Sequence, residues 1–581
     1  MADPRRPRSA AFFGKSGTPD GFTARAFTKA MGFTDDDIQK PVIGIAQTWS
    51  EFNNCNHHLR QVAEAVKRGV WQAGGLPLEF PTISLGEVHA GPTTMLFRNL
   101  MAMDTEEMIR AQPMDGVVLL SGCDKTPPAQ LMGAASVNIP SILLTGGPML
   151  NGRYKGKELG ACTDCGRYVT EFRAGNLSLE DFCGVESRLC RSAGHCMVMG
   201  SASSIACISE ALGMQMPGSA AIPAPDVMRL QMAELVGKQI VKLVEANIRP
   251  SDIITRQSLE NAIRVMHALG GSTNAVIHLI AIAGRLGIDL PLSVFDDLSR
   301  TTPFITNVKP SGAFQMEELF EAGGVPAIMK ELEPLLHKDV MTVTGQTLGE
   351  NMQHYQHTED RSLIRPLNEP FSKEGGTAVL SGNLAPDGAV IKQAAASQRL
   401  LQHRGRAVVF KSIPDLYTRV DDPSLEIDAD DVMVLQNAGP VGAPGMPELG
   451  FMPIPTKLLK QGVRDIVRIS DARMSGTSYG TIVLHAAPEA AVGGPLALVR
   501  TGDFITLDVP NRRVTLEVSD AELTERRQAW QPATPRFDRG YVKLYVDHVL
   551  QAPQGCDFDF LRGAGRSGDR RYARIAEGKD D

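Results

Sequence analysis

Five consecutive residues, Gly122-Cys123-Asp124-Lys125-Thr126, put a thiol, a carboxylate and an amine side by side. They follow Asp115-Gly-Val-Val-Leu-Leu-Ser121, an apolar run that predicts a buried strand. Soft sulfur selects iron–sulfur or zinc, whereas hard oxygen selects magnesium or calcium. Residues 123–125 could therefore touch two different metals where one strand ends. The plain alternative is a turn with a half-buried cysteine and a solvated Asp–Lys pair.

Other residues of the same chemical kinds lie far apart in the chain. The nine cysteines are Cys55, Cys123, Cys162, Cys165, Cys183, Cys190, Cys196, Cys207 and Cys556. An odd number scattered through a long chain does not read as a disulfide framework, and predicts a reducing, cytoplasmic setting with thiols free for metal. Three of them, in Asn54-Cys55-Asn56, Gly122-Cys123-Asp124 and Gly194-His195-Cys196, stand in polar or glycine-flanked loops. Dispersed single ligands suit a cluster assembled at a crevice, unlike the local spacing of ferredoxins. A competing candidate is Cys162-Thr-Asp-Cys165 with Cys183 and Cys190 downstream, which could form a zinc knuckle. Cys207 and Cys556 read as buried, inert thiols.

The candidate carboxylates are Glu87 in Leu-Gly-Glu-Val-His, Asp124, and Glu448 in Gly442-Ala-Pro-Gly-Met-Pro-Glu448. Gly270-Gly-Ser-Thr-Asn274 opens a helix, so its N–H groups could meet an anion or be satisfied by an N-cap. In Ser470-Asp-Ala-Arg-Met-Ser475-Gly-Thr477, the glycine would leave the Ser475 hydroxyl approachable. No GxSxG elbow accompanies it, which disfavours an acyl-transfer triad. His485 reads as a structural histidine, or alternatively as a partner that supports a site residue from behind.

Strand–helix alternation must position these groups. Segments 41–48, 81–85, 115–121 and 141–145 read as strands, and 58–73, 94–111 and 129–137 as helices. This alternation continues over about the first 370 residues and predicts a mostly parallel sheet covered on both faces. Ligands bind such sheets beyond the carboxyl ends of the strands. Cys55, Glu87, Cys123 and Gly146-Gly147 all fall just after predicted strands. Further helices are predicted at 225–245, 258–268 and 274–286. From about Gly375, short strands at 377–380, 406–410, 431–435 and 465–469 are separated by Gly, Pro and Asp. A hairpin follows over 504–518, around Pro510-Asn511. The predicted fold is α/β: a mostly parallel α/β/α sheet domain over 1–372 and a β-barrel-like domain over 373–581. The tail from Gly563 predicts a frayed end.

At 581 residues the chain exceeds one ordinary core. A formal net charge of −7 gives no footprint for nucleic acid. No run of eighteen apolar residues predicts a membrane span. The basic Pro4-Arg-Arg-Pro-Arg8 has no apolar stretch behind it and is not a secretory signal. An anionic substrate must then be held by local groups or metals.

Taken together, the motifs resemble the dihydroxy-acid and sugar-acid dehydratase family, in the branch with 6-phosphogluconate dehydratase. The matching pieces are Asn54-Cys55-Asn56, Gly122-Cys-Asp-Lys-Thr126, Gly194-His-Cys-Met-Val-Met-Gly200, Glu210-Ala-Leu-Gly-Met214, Gly270-Gly-Ser-Thr-Asn274, Pro444-Gly-Met-Pro-Glu448 and Asp471-Ala-Arg-Met-Ser-Gly476. They run in the family's order through nearly the whole chain. The resemblance implies an N-terminal α/β domain, a C-terminal barrel-like domain, and a homodimer or homotetramer. It assigns Cys55, Cys123 and Cys196 to an iron–sulfur cluster, [2Fe–2S] with [4Fe–4S] as the alternative. Glu87, Asp124, Glu448 and Lys125 match the magnesium site, where the family's lysine is carbamylated. A carbamate offers Mg²⁺ a hard anionic oxygen where an ammonium would repel it. Ser475 matches the family's base, and Thr477 a substrate-contacting threonine. Two stretches depart from the family pattern: Cys196-Met197-Val198-Met199-Gly200 in place of Cys-Asn-Thr-Met-Gly, and Gly160-Ala-Cys-Thr-Asp-Cys165.

The implied activity is that of a hydro-lyase converting an aldonate such as L-arabinonate, or D-gluconate or D-xylonate, to a 2-keto-3-deoxy acid. Pro92-Thr-Thr-Met-Leu-Phe-Arg-Asn99, residues 468–477, Ala490-Ala-Val-Gly-Gly-Pro495 and Asp508-Val-Pro-Asn-Arg-Arg513 look most like L-arabinonate-type pentonate dehydratases. The alternative is the dihydroxy-acid dehydratase of branched-chain amino-acid biosynthesis, acting on 2,3-dihydroxyisovalerate, or one enzyme covering both. An iron–sulfur electron-transfer or redox-sensing protein is the rival from another class; it would need none of Glu87, Glu448 or Ser475.

Overall fold

Residues 42–47, Val-Ile-Gly-Ile-Ala-Gln, are buried at every position, and so are Gly116–Ser121 and Ser141–Thr145. Such unbroken apolar runs belong to strands covered on both faces. The computed structural model describes residues 8–13, 18–161, 163–532 and 537–563 of the chain, and places these runs side by side. Strands β1 (Val42–Gln47), β2 (Leu76–Pro81), β3 (Gly116–Ser121) and β4 (Ser141–Thr145) form a wholly parallel sheet in the order β2-β1-β3-β4. Helices Leu59–Gln72, Arg98–Ala111 and Thr126–Val137 make the crossovers, and Val227–Ala246 packs on Leu59–Gln72.

The strand expected at 81–85 lies earlier, because the ladder with β1 runs from Val42↔Leu76 to Gln47↔Pro81. Proline, lacking an N–H, suits this edge strand and its end. Residues 82–86 are thereby released as the loop that carries Glu87. The expected alternation also stops sooner than predicted. After the small hairpin β5 (Gly152–Tyr154) and β6 (Lys157–Leu159), the described residues up to Met352 form helices and connecting loops. These include Ser201–Ala211 and Arg256–Leu269, which help enclose a second apolar core, and Asn274–Arg285, which packs into the first.

The C-terminal part is a closed eight-stranded barrel, as the sequence predicts. Its strands are β7 (Ala378–Gly382), β8 (Ala385–Ile391), β9 (Gln402–Phe410), β10 (Val432–Leu435), β11 (Val467–Ser470), β12 (Ile482–Ala487), β13 (Phe504–Asp508) and β14 (Arg513–Leu516). They close in the order β10-β11-β12-β8-β7-β14-β13-β9 around Leu380, Val434, Ile469, Val483, Leu507 and Val514. Two of these strands are absent from the sequence expectation. Pro386-Asp387-Gly388 inside β8 reads as a turn, and β12 carries a histidine at positive φ beside a break in its register with β8. The two halves are locked together: the fully buried Arg285 pairs with Asp557 at 2.6 Å, and Arg98 donates to the carbonyls of Gly555 and Cys556. The expected frayed tail beyond residue 563 lies outside the described residues.

Candidate active site

The pentapeptide is one tight turn between β3 and the helix Thr126–Val137. That helix begins directly after Lys125, with Pro127 and Pro128 in its first turn, where a missing N–H costs nothing. Gly122 is pressed against the neighbouring loop: a Cβ there would meet the Cys55 carbonyl oxygen at 2.6 Å and Asn56 Oδ1 at 2.8 Å. Asn56 Oδ1 accepts from the Cys123 N–H at 3.0 Å, while its Nδ2 donates to the Thr48 carbonyl at 2.9 Å. One asparagine thus ties the ends of β1 and β3 together, and with them Cys55 and Cys123.

Lys125 is wholly buried, and its Nζ sits among three carboxylates. It pairs with Asp124 Oδ2, with Glu448 Oε1 at 3.4 Å and with Glu87 Oε2 at 3.5 Å. Burial pulls the amine down, but the three carboxylates outweigh it and hold Lys125 above the usual lysine value. For Glu87 burial pushes up, and Lys125 and Arg473 outweigh it, so its carboxyl lies below the usual range. Arg473 closes the cage from the barrel: Nη1 pairs with Glu448 Oε1 at 2.8 Å, and Nη2 donates to Thr93 Oγ1 at 3.0 Å. Thr93 Oγ1 donates in turn to Glu87 Oε1 at 2.6 Å, and Thr94 hydrogen-bonds the other Glu87 oxygen.

The thiols gather beside this cage. Cys123 is buried, and its hydrogen bond with Cys55, then burial, push its thiol well above the usual value. Its Sγ lies 3.6 Å from Asp124 Oδ1. The segment leading to Cys196 is pinned to the Cys55 loop, since the Gly194 N–H donates to the Asn54 carbonyl at 3.2 Å. It is also paired on its other edge, His195 N to Gly147 O at 3.0 Å and Met149 N to His195 O at 2.8 Å.

Among the described residues, no group of three or more His, Cys, Asp and Glu side chains is drawn close enough to enclose a metal ion. The carboxylate cage closes on a lysine amine instead. The donor sets nonetheless fit what the sequence implies. Three carboxylates converging on one cationic centre suit a hard divalent ion, and cysteines from three separate loops suit a cluster.

Ser475 and Thr477 lie on the loop after β11. Their hydroxyls are 2.7 Å apart, and the Thr477 N–H donates to Ser475 Oγ at 3.4 Å. Gly476 between them fits against the start of helix Ser201–Ala211; a Cβ there would meet Ser201 N and Ser272 Oγ, each at 2.6 Å. Asn274 bridges this loop to the cage, its Nδ2 donating to Glu448 Oε1 at 2.9 Å and to the Met474 carbonyl at 3.3 Å. The structure therefore brings Cys55, Cys123, Glu87, Asp124, Lys125, Glu448, Ser475 and Thr477 into one connected network, and hydrogen-bonds the segment two residues before Cys196 to the Cys55 loop.

The loop 270–274 makes no open anion site: the Ser272 N–H is taken by Ser204 Oγ at 2.8 Å, and Ser272 Oγ accepts from Asn274 N at 3.2 Å. Cys162 lies outside the described residues. Cys165 is half-buried, while Cys183 and Cys190 are exposed. His485 is buried, and burial with Arg473 nearby holds its imidazole down to about 3; its backbone N–H donates to the Ala472 carbonyl at 3.1 Å. Sequence reasoning missed Thr93, Asn274 and Arg473. Arg473 and Asn274 stood inside quoted motifs, but their partners are 25 and 174 residues away in the chain.

Comparison with known proteins gives this geometry a context. Residues 40–351 match the model for the dihydroxy-acid/6-phosphogluconate dehydratase N-terminal domain, and 362–556 match that for the C-terminal domain. The chain is 50% identical to an L-arabinonate dehydratase of Rhizobium leguminosarum bv. trifolii, over 96% of this chain and 97% of that one. It is 48% identical to a 6-deoxy-6-sulfo-D-gluconate dehydratase of Pseudomonas putida, over 93% and 94%. With a dihydroxy-acid dehydratase of Syntrophobacter fumaroxidans the identity is 43%, over 91% and 96%.

Proposed function

The chain belongs to the dihydroxy-acid/6-phosphogluconate dehydratase family and is a hydro-lyase, and from that premise we propose that it dehydrates a sugar acid of the L-arabinonate type to a 2-keto-3-deoxy acid. The observation that carries this reading is the joining of the three-carboxylate cage to the Ser475–Thr477 hydroxyl pair through Asn274 and Glu448. A metal-binding anionic centre and a proton acceptor then face one substrate from the two halves of the chain. In this reading residues 1–372 supply the cysteines, Glu87, Asp124 and Lys125, and residues 373–581 supply Glu448, Ser475 and Thr477.

Glu87, Asp124 and Glu448 would hold Mg²⁺, joined by Lys125 once it is carbamylated; Cys55, Cys123 and Cys196 would hold a [2Fe–2S] cluster. When bound, these groups supply Lewis acidity to the substrate's carboxylate, 2-hydroxyl and 3-hydroxyl. Ser475 Oγ, deprotonated, takes the proton from C2. The C2–H electron pair becomes the C2–C3 double bond, the C3–O bond breaks, and the departing hydroxide becomes water with the one proton that Ser475 took from C2, which returns Ser475 to its deprotonated form. The enol then tautomerises to the ketone. An ordinary serine hydroxyl is too weak a base for this, so its surroundings must favour the anion. The Thr477 O–H and N–H are both placed to donate to Ser475 Oγ, and donors to the charged form favour it.

The 50% identity to an L-arabinonate dehydratase, against 43% to a dihydroxy-acid dehydratase, favours a sugar acid as substrate. The test is turnover of anaerobically reconstituted, Mg²⁺-supplied protein on L-arabinonate, D-gluconate, D-xylonate and 2,3-dihydroxyisovalerate. L-Arabinonate should give the highest kcat/KM. A higher value for 2,3-dihydroxyisovalerate would overturn the substrate assignment.

A further inference from the structure

Lys392 follows the last residue of β8, and its side chain is wholly buried. Its Nζ donates to the carbonyl of Gly476 at 3.3 Å. Among the described residues no carboxylate pairs with it, and burial alone pulls its amine down to about 7. A buried ammonium without a counter-ion is costly, and a methionine would fill similar volume without that cost.

Fastening the loop does not require the amine. The Gly480 N–H donates to the Ala395 carbonyl at 2.8 Å, and the Ser397 N–H to Thr481 Oγ1 at 3.2 Å. These bonds already tie segment 395–397 to the far end of the Ser475 loop. The amine acts instead at the near end, on the peptide unit between Gly476 and Thr477. The carbonyl of that unit accepts from Lys392, and its N–H donates to Ser475 Oγ at 3.4 Å. The atoms form a chain: Lys392 Nζ–H to Gly476 C=O, then Thr477 N–H to Ser475 Oγ. Hydrogen bonds in such a chain polarise one another, most strongly where the dielectric is low.

We propose that Lys392 is a positioning residue for the dehydration: as an ammonium it polarises the Gly476–Thr477 peptide and strengthens the N–H donor that stabilises deprotonated Ser475. The inference rests on the reading of Ser475 as the proton acceptor. His485 on β12, the strand paired with β8, is kept neutral by burial, which holds its imidazole down to about 3, and Asp465 and His267 are engaged elsewhere. Asp465 pairs with Arg468 at 3.0 Å, and His267 is hydrogen-bonded to the Phe295 carbonyl at 2.9 Å.

The experiment compares Lys392→Met, Lys392→Arg and Ser475→Ala with the wild type, each matched for iron, sulfide and magnesium content. Lys392→Met should lower kcat about tenfold or more, with KM within about twofold, as loss of a preorganised donor does. Lys392→Arg should recover most of the rate. In the wild type kcat should fall as rising pH discharges the amine, and that descending limb should vanish in Lys392→Met. Stability gives a readout independent of turnover. The amine lies at about 7 in the folded protein against 10.5 ordinarily, so between these values the unfolded chain binds more protons and wild-type stability rises with pH. Lys392→Met should therefore melt above the wild type at pH 7, with the difference closing toward pH 10. An inactive Ser475→Ala beside a Lys392→Met of normal rate and unchanged pH profile would overturn the role of Lys392 alone. An active Ser475→Ala would overturn the reading of Ser475 beneath it. A Lys392→Arg as slow as Lys392→Met, with the wild-type fold, would also overturn the role.

Discussion

Lys125 and Lys392 are both wholly buried, one at the carboxyl end of the parallel sheet and the other just past a barrel strand. Their surroundings are opposite. Lys125 has three carboxylates around its amine, whereas Lys392 has one peptide carbonyl. The carboxylates hold the first amine firmly charged, and burial brings the second to about 7. A compensated buried cation is part of the structure and marks a place where positive charge belongs. An uncompensated one costs stability and keeps its field for its neighbours. The sheet half thus contributes a site built to hold charge, and the barrel half contributes one built to bias a hydroxyl.

The strongest way to break this contrast is Lys125→Met. It leaves Asp124, Glu87 and Glu448 facing one another with Arg473 as the remaining cation among the described residues. Removing one partner of a buried ionic group costs about 3–5 kcal/mol. We expect a loss of that size in urea denaturation of chelator-treated protein, with no measurable turnover. If the cage is a cation site, added Mg²⁺ should return part of the lost stability by binding the native state. Unchanged stability would show that the carboxylates do not depend on a central charge, and the contrast would fall.

Ser475→Ala comes next. Loss of a general base lowers kcat by about 10²–10⁴-fold. Because Ser475 Oγ bonds within its own turn, to Thr477, and to none of the cysteines or carboxylates, iron, sulfide and magnesium contents should stay at wild-type values. A fall in metal content would assign Ser475 to the cage instead. Asn274→Ala is milder. It removes donors to Glu448, Met474 O and Ser201 Oγ at once, leaving acceptors in a buried setting. We expect a loss of about 1–3 kcal/mol in stability and a reduced kcat, since the link between the two halves is cut.

These outcomes bear on what the sequence made legible. The turn at Gly122–Thr126 could be read because its cause is local: a buried strand must end, and a Gly-Cys-Asp-Lys turn followed by prolines ends it. The barrel could be read because six of its strands are short apolar runs bounded by Gly, Pro and Asp. Lys392 could not be read. Its strand contains Pro386-Asp387-Gly388, which signals a turn, so no local pattern marks residue 392 as the end of a buried strand. Burial there is imposed by barrel closure against β7 and β12, which no local pattern encodes. Arg473 and Asn274 were hidden for a related reason. Each serves Glu448 from within 3 Å: Arg473 reaches it inside the barrel half across 25 residues of chain, and Asn274 reaches it only through the docking of the two halves.

The smallest expected effect separates the geometry of the Ser475 loop from the charge beneath it. Thr481→Val removes the hydroxyl that accepts from Ser397 N and donates to Asp465 Oδ2 at 2.8 Å, while the backbone bond from Gly480 to Ala395 remains. Losing a buried side-chain hydrogen bond of this kind costs about 1 kcal/mol, readable as a small fall in melting temperature. If Lys392 works through charge, a slightly looser far end leaves the Gly476–Thr477 peptide polarised, and kcat should stay within about twofold of the wild type, well short of a missing donor's effect. If the loop merely needs to be held down, Thr481→Val should slow the reaction in proportion to its instability, and Lys392→Met should behave the same way. The pair therefore decides whether the barrel's buried lysine is an anchor or a source of field. Only the second outcome explains why an amine is kept where an apolar side chain would be more stable.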